Sequence, residues 1–97
     1  MVIIAKKIIN EFGLKHADSI DSLNNWYEKS KNADWNTFLE IKETFNSVDY
    51  VGNDRYVFNI KGNKYRLVAM INFKIRTIFI RFIGTHKEYD KIDCKIV

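Results

Sequence analysis

The chain has 97 residues, 46% of them apolar and 14% aromatic, with a net charge of +4 and one cysteine. That length sets the expectation of one domain, 1–97, able to bury roughly 60–65% of its unfolded surface without a metal or a disulfide. A lone Cys94 excludes an internal disulfide framework, and no apolar run reaches the roughly 18 residues of a spanning helix.

A reducing, cytoplasmic compartment is therefore expected. The opening MVIIAKKIINEF is too short in its apolar run for a secretory leader, and its lysines follow that run instead of preceding it. Residues 1–50 hold six Lys/Arg against eight Asp/Glu, and residues 51–97 hold ten against four. The basic C-terminal half points to a polyanion, most often nucleic acid. A merely solvated basic face explains the same imbalance.

Residues 2–5 read as a short strand. Lys6 to about Lys15 reads as a helix with Ile8, Ile9 and Phe12 on one side. Asp18 or Ser19 caps a second helix running to about Ser30, whose stripe is Ile20, Leu23, Trp26 and Tyr27. A third helix is expected from Trp35 to about Phe45, capped by Asp34, with Phe38, Ile41 and Phe45 (or Leu39) inward. These aromatics read as core. From Val48 the period becomes strand-like. Tyr50 and Val51 precede a GND turn, and 55-RYVFNI-60 alternates. KGN at 61–63 is a hairpin turn, KYRLVAMINF at 64–73 a strand, KIR at 74–76 a turn and TIFIRFIG at 77–84 a strand. The segment 91–97 is expected to add a last short strand. Helices first and strands after give an α+β fold, with the N-terminal helices on one face of a small, mainly antiparallel sheet.

One sheet face is then left to solvent or a ligand. By strand parity Lys64 and Arg66 share a face with Val68 and Met70, and Tyr65, Leu67, Ala69 and Ile71 take the other. In the next strand Arg81 is expected to face with Thr77, Phe79 and Ile83, opposite Ile78, Ile80 and Phe82. Arg66 and Arg81 interrupt apolar runs, where an unpaired cation is costly. Each either pairs with a helix carboxylate or grips an anion such as phosphate. Just past the strand, 85-THKEYD-90 crowds His86, Lys87, Glu88, Tyr89 and Asp90. A histidine titrates near neutrality and suits proton transfer. His16, at the end of the first helix, reads as a cap or surface residue. Asn59 and Asn63 read as turn residues. Asp90 either orients His86 or caps a terminal turn.

Cations, a histidine and a tyrosine together suit cleavage of an RNA phosphodiester by the neighbouring 2′-OH. That reaction needs a base, an acid and positive charge for the developing oxyanions. It requires no cofactor, and none is expected.

The stretches 56-YVFNIKGNKYRLVAMINF-73 and 80-IRFIGTHKEYDKI-92 closely resemble the HigB family of bacterial type II toxin–antitoxin systems, within the RelE-like superfamily. The resemblance covers about residues 48–93. It implies a compact α+β toxin that degrades mRNA, often on the translating ribosome, and that a HigA-type helix-turn-helix antitoxin neutralises. It also implies that Arg66, in KYRLV, is the strand arginine that grips the scissile phosphate, with Lys64 at a basic position ahead of it. His86 falls where RelE-like toxins carry a basic residue after the last central strand, and Tyr89 lies close to their C-terminal catalytic tyrosine. The expected roles are phosphate holding for Arg66 and Lys64, acid–base work for His86 with Tyr89 beside it, and backbone positioning for Arg81 and Lys87. RelE itself uses more lysines in place of a histidine, and the stretch THKEYD is similar to that of this HigB branch. The alternative reading is a basic RNA-, DNA- or protein-binding module without catalysis.

Overall fold

The computed structural model describes residues 1–97. The chain runs β1 (Val2–Ile4), α1 (Lys6–Lys15), a 3₁₀ turn (Ala17–Ser19), α2 (Ile20–Asn32), α3 (Phe38–Thr44), β2 (Val48–Gly52), β3 (Arg55–Ile60), β4 (Tyr65–Asn72), β5 (Thr77–Thr85) and α4 (His86–Tyr89). The five strands form one sheet in the order β1-β5-β4-β3-β2. β1 is parallel to β5 and every other pair is antiparallel. This is the α+β arrangement expected from the change of period. No helix is long and apolar enough to cross a membrane.

α1, α2 and α3 cover one face, and the core lies between them and the strands. Ile9, Leu23, Trp26, Trp35 and Ile41 from the helical half meet Tyr56, Phe58, Ile60, Tyr65, Leu67, Ala69, Ile71, Ile78 and Ile80. Of the expected helical stripes, Ile9, Leu23, Trp26 and Ile41 are buried and Phe12, Tyr27, Phe38 and Phe45 pack half-buried against them, while Ile8 and Ile20 stay exposed at the edges of their stripes. Two caps differ from expectation. Thr37, not Asp34, caps α3: its side chain accepts from the Glu40 N–H, and the helix begins at Phe38. Asp34 is used instead by Arg76, which also donates to the Trp35 carbonyl at 2.6 Å and pins the loop before α3. At α2 neither candidate caps. The Ser19 hydroxyl donates to the His16 carbonyl at 2.6 Å, and Asp18 turns toward β4.

The turns follow local backbone chemistry. Asn53 and Asp54 both take positive φ, 52° and 60°, the geometry a two-residue hairpin requires. Lys61 (φ 53°) and Gly62 (φ 64°) make the β3–β4 turn left-handed and swing Asn63 back toward the strand it precedes.

β5 corrects the expected faces. Its register with β4 slips between Val68 and Ala69, so Val68 pairs with Phe82 and Ala69 with Ile80. Arg81 is the extra residue of a bulge, and the alternation inverts there. Ile83 therefore packs toward the helices and Phe82 toward the other side, the reverse of simple parity. The second correction is the C-terminus. Residues 91–97 form turns, not a strand. They are tied to the sheet by Asn53, which donates to the Lys95 carbonyl at 2.7 Å, and by Arg55 and Arg81, which donate to the Val97 carbonyl at 2.9 and 3.1 Å. Val57 and Val68, on the face away from the helices, are fully buried. On the same face Arg66, near the start of β4, is only half-buried.

Candidate active site

The site forms where the β3–β4 turn, β4 and α4 meet. Register sets the first part: Asn59, Arg66 and Gly84 lie side by side across β3, β4 and β5. Gly84 is needed there. A Cβ on it would come within 2.5 Å of the Phe82 ring and 3.1 Å of Glu88 Cβ. The space a side chain would take is filled by that ring, and the surface beside Arg66 stays low.

A capping box sets the second part. The Thr85 hydroxyl accepts from the Glu88 N–H at 3.3 Å, and the Glu88 carboxylate accepts from the Thr85 N–H at 2.9 Å. This reciprocal pair turns the chain sharply at the end of β5 into one helical turn. The Thr85 hydrogen bonds, the backbone one first, hold the Glu88 carboxyl below its ordinary value. α4 presents His86 and Tyr89 three residues apart, so both come round toward Arg66. Asp90 is the C-cap of this turn, and its N–H donates to the His86 carbonyl at 2.9 Å.

At the centre, Arg66 Nη2 lies 3.4 Å from His86 Nε2 and 3.4 Å from Asn63 Oδ1. His86 Nε2 is 3.2 Å from the same Asn63 oxygen. The Arg66 guanidinium carbon stands over the Tyr89 ring at 5.2 Å, a cation–π contact. Arg66 Nε is buried and has no hydrogen-bond partner. The guanidinium is thus held by an amide and a ring, with no carboxylate paired to it, and an anion would meet an uncompensated charge. Burial, first, and hydrogen bonding with Cys94 push the Tyr89 phenol up to about 12, with Asp49 adding to the shift and Arg66 opposing it.

The other expected site residues lie further out. Lys64 is the last residue of the β3–β4 turn, with its N–H on the Lys61 carbonyl, and its ammonium is paired with Asp18. Tyr65 donates to the same carboxylate at 2.5 Å. The two donors hold Asp18 below its ordinary value, Lys64 first, and Asp18 in turn raises both Lys64 and Tyr65. Arg81 is exposed at the bulge with its Nε on the Val97 carbonyl. Lys87 is exposed on α4, next to His86. The structure thus brings Arg66, His86 and Tyr89 together, while Lys64 and Arg81 make their polar contacts elsewhere, to Asp18 and Val97, and Lys87 is exposed next to His86 on α4.

Three contributors were read otherwise or passed over in the sequence. Asn63, read as a turn residue, points its amide into the centre. Cys94 sits against Tyr89. The Thr85–Glu88 pair was visible as T-x-x-E, a helix-start signature that explains why these polar residues crowd behind a strand. No group of three or more His, Cys, Asp and Glu converges as a metal site.

Comparison with known proteins places the chain in a family. Residues 19–92 match the sequence model of the HigB toxin family, described as the RelE-like toxic component of a toxin–antitoxin system. The chain is 33% identical over 94 residues to the mRNA interferase HigB of Escherichia coli O6:H1, covering 95% of this chain and 91% of that protein. It is 45% identical over 53 residues to the mRNA interferase toxin HigB of Escherichia coli K12, covering 52% of this chain and 50% of that one. The mRNA interferase HigB of Shigella flexneri matches to the same extent. The family match runs from the start of α2 through β2–β5 and α4, and with it the chain belongs to the HigB family of RelE-like toxins.

Proposed function

We propose that this chain is an endoribonuclease toxin that cleaves mRNA during translation on the ribosome, in the cytoplasm, and so arrests growth. Cleavage proceeds by attack of a ribose 2′-OH on the adjacent phosphorus. The O2′–P bond forms, the P–O5′ bond breaks, one proton leaves the 2′-OH and one is delivered to the departing 5′ oxygen. The nucleophile is internal to the substrate, so the reaction needs no metal to generate it. What it needs is positive charge on the phosphate and a proton carrier beside it.

The observation that carries this reading is the 3.4 Å approach of Arg66 to His86, with no acid paired to the guanidinium. Arg66 holds the scissile phosphate and stabilises the charge that develops on it. His86 moves the proton. Tyr89 backs the guanidinium and offers a face on which a base can stack. Arg81 and Lys87 steer the RNA backbone from the rim. Lys64 is committed to Asp18, so it adds to the positive field there and reaches the phosphate only if that pair opens. The cognate partner is a HigA-type helix-turn-helix antitoxin.

The test is expression of the wild-type chain, Arg66→Ala and His86→Ala from a tightly repressed promoter, with 5′ ends of cellular mRNA mapped after induction. Growth arrest with new ends in wild type, lost in both variants, is expected. Wild type without new ends, whatever its effect on growth, leaves a basic binding module and defeats the nuclease. Ends that persist in His86→Ala keep the nuclease and move the proton to another group.

A further inference from the structure

We infer that Asn63 is a positioning residue that holds the His86 ring in the tautomer with its proton on Nε2, leaving the lone pair on Nδ1. The inference rests on the reading of His86 as the proton carrier, but its geometry stands apart from that reading. Three polar atoms, from Asn63, Arg66 and His86, form a triangle with sides of 3.2, 3.4 and 3.4 Å.

Hydrogen-bonding capacity restricts how that triangle can be filled. Arg66 is donor-only, so the Asn63 atom facing its Nη2 has to be the amide oxygen. The same oxygen faces His86 Nε2 at the shortest side, 3.2 Å. An unprotonated Nε2 would set two lone pairs against each other there. A protonated Nε2 donates to the oxygen, and one carbonyl then serves two donors with its two lone pairs. The Arg66–His86 side becomes an approach of two donors bridged by that carbonyl.

The local backbone supports a dedicated role. Lys61 and Gly62 at positive φ bring Asn63 back over β4. A turn needs only the backbone, and the Asn63 amide oxygen is shared between Arg66 and His86. The orientation matters for chemistry because the two ring nitrogens do different work: the partner of one fixes what the other can do. With Nε2–H tied to the Asn63 oxygen, the neutral ring accepts a proton only at Nδ1.

The measurement is a long-range ¹H–¹⁵N spectrum of the ¹⁵N-histidine-labelled full chain, free of RNA, with the two histidines assigned by the loss of one in His86→Ala. His86 is expected as the Nε2–H tautomer with its ring proton protected from exchange with water. Asn63→Ala is expected to lose that protection and shift the ring toward a mixture of tautomers. Asn63→Asp keeps an acceptor oxygen and is expected to retain the Nε2–H form. A ring protonated on Nδ1 in the wild type overturns the proposal, and so does a His86 signal unchanged in Asn63→Ala. Cleavage gives a second readout. The rate at saturating RNA should fall about tenfold in Asn63→Ala with KM nearly constant, as expected when a reacting group loses its orientation. An unchanged rate overturns the positioning role. If His86→Ala itself still cleaves, it is the proposed role of His86 that fails, and the spectrum still decides whether Asn63 holds the ring.

Discussion

The Arg66 guanidinium stands 5.2 Å from the centre of the Tyr89 ring, so a strand residue and a residue of a one-turn helix share one contact. Cation–π contacts contribute from about 1 to about 2 kcal/mol as they become desolvated, or roughly five- to thirtyfold in rate if the cation's position is what matters. The Tyr89 phenol, pushed up to about 12, stays protonated at any physiological pH and cannot act as a base. The ring under Arg66 is then the part of Tyr89 that the proposed mechanism uses. Tyr89→Phe should cleave RNA within about threefold of wild type, while Tyr89→Ala should lose ten- to thirtyfold, read as single-turnover rates. A Tyr89→Phe enzyme as slow as Tyr89→Ala would assign the work to the hydroxyl.

α4 depends on its cap. A helix of four residues has almost no internal hydrogen bonding to hold it, and removing an N-cap side chain costs about 1 kcal/mol. Thr85→Ala should therefore leave the melting temperature of the whole chain nearly unchanged while fraying α4, with faster amide exchange at Glu88 and Tyr89 and slower cleavage. The carboxyl of Glu88 is held below its ordinary value of 4.5. Its folded pKa is depressed, so its contribution is present above the unfolded value and is lost as pH falls through the folded one. Acidification below about pH 4.5 should loosen α4 before the sheet unfolds. Glu88→Gln keeps an acceptor without the titration, and its α4 amides should show no such acid-dependent loosening.

Most of the architecture follows from local pattern. α1 and β3 begin and end where their spacing places them, because a helical stripe or an alternating run is a property of neighbouring residues. The inverted faces of β5 are different. IFIRFI is apolar on both sides of Arg81, so no pattern marks the extra residue, and only pairing with β4 reveals the bulge. Lys64 was misplaced for a related reason. Parity with Arg66 holds only inside a strand, and the Lys64 N–H is bonded to Lys61 within the turn, which sends its side chain to Asp18. The convergence of Arg66 on His86 across twenty residues was suggested by residue chemistry and by resemblance, yet the part played by Asn63 was hidden. An asparagine beside a glycine turn looks the same whether its amide faces water or a site.

The Asp18 carboxylate restrains a cation near the site. Asp18→Asn should release Lys64 and remove one negative charge from the rim, so RNA binding at low salt should tighten severalfold and become more salt-dependent. Tyr65 loses a charged acceptor in the same change, and the buried ring should keep its place through Phe12 and His16, each with its centroid 5.3 Å away. Filter binding of a short single-stranded RNA across a salt series reads the effect. Binding that weakens, or a slope that falls, would mean that Lys64 serves the fold through Asp18 and adds nothing to the RNA surface.

Gly84 tests whether the sheet and α4 act as one unit. Alanine there would set its Cβ 2.5 Å from Phe82 Cζ, 3.0 Å from Cε1 and 3.1 Å from Glu88 Cβ. The Phe82 ring has to shift to make room, on a residue paired with the buried Val68 of β4. Overpacking of this kind costs about 1–3 kcal/mol. The displaced Glu88 also belongs to the capping box that aims His86. Gly84→Ala should therefore lower the melting temperature and, at a temperature where it is fully folded, still cleave RNA much more slowly than wild type. Phe82→Leu in the same background removes the colliding ring atoms and should restore part of both. Recovery of stability without recovery of cleavage would show that the low surface beside Arg66, and not the seat of α4, is what Gly84 provides.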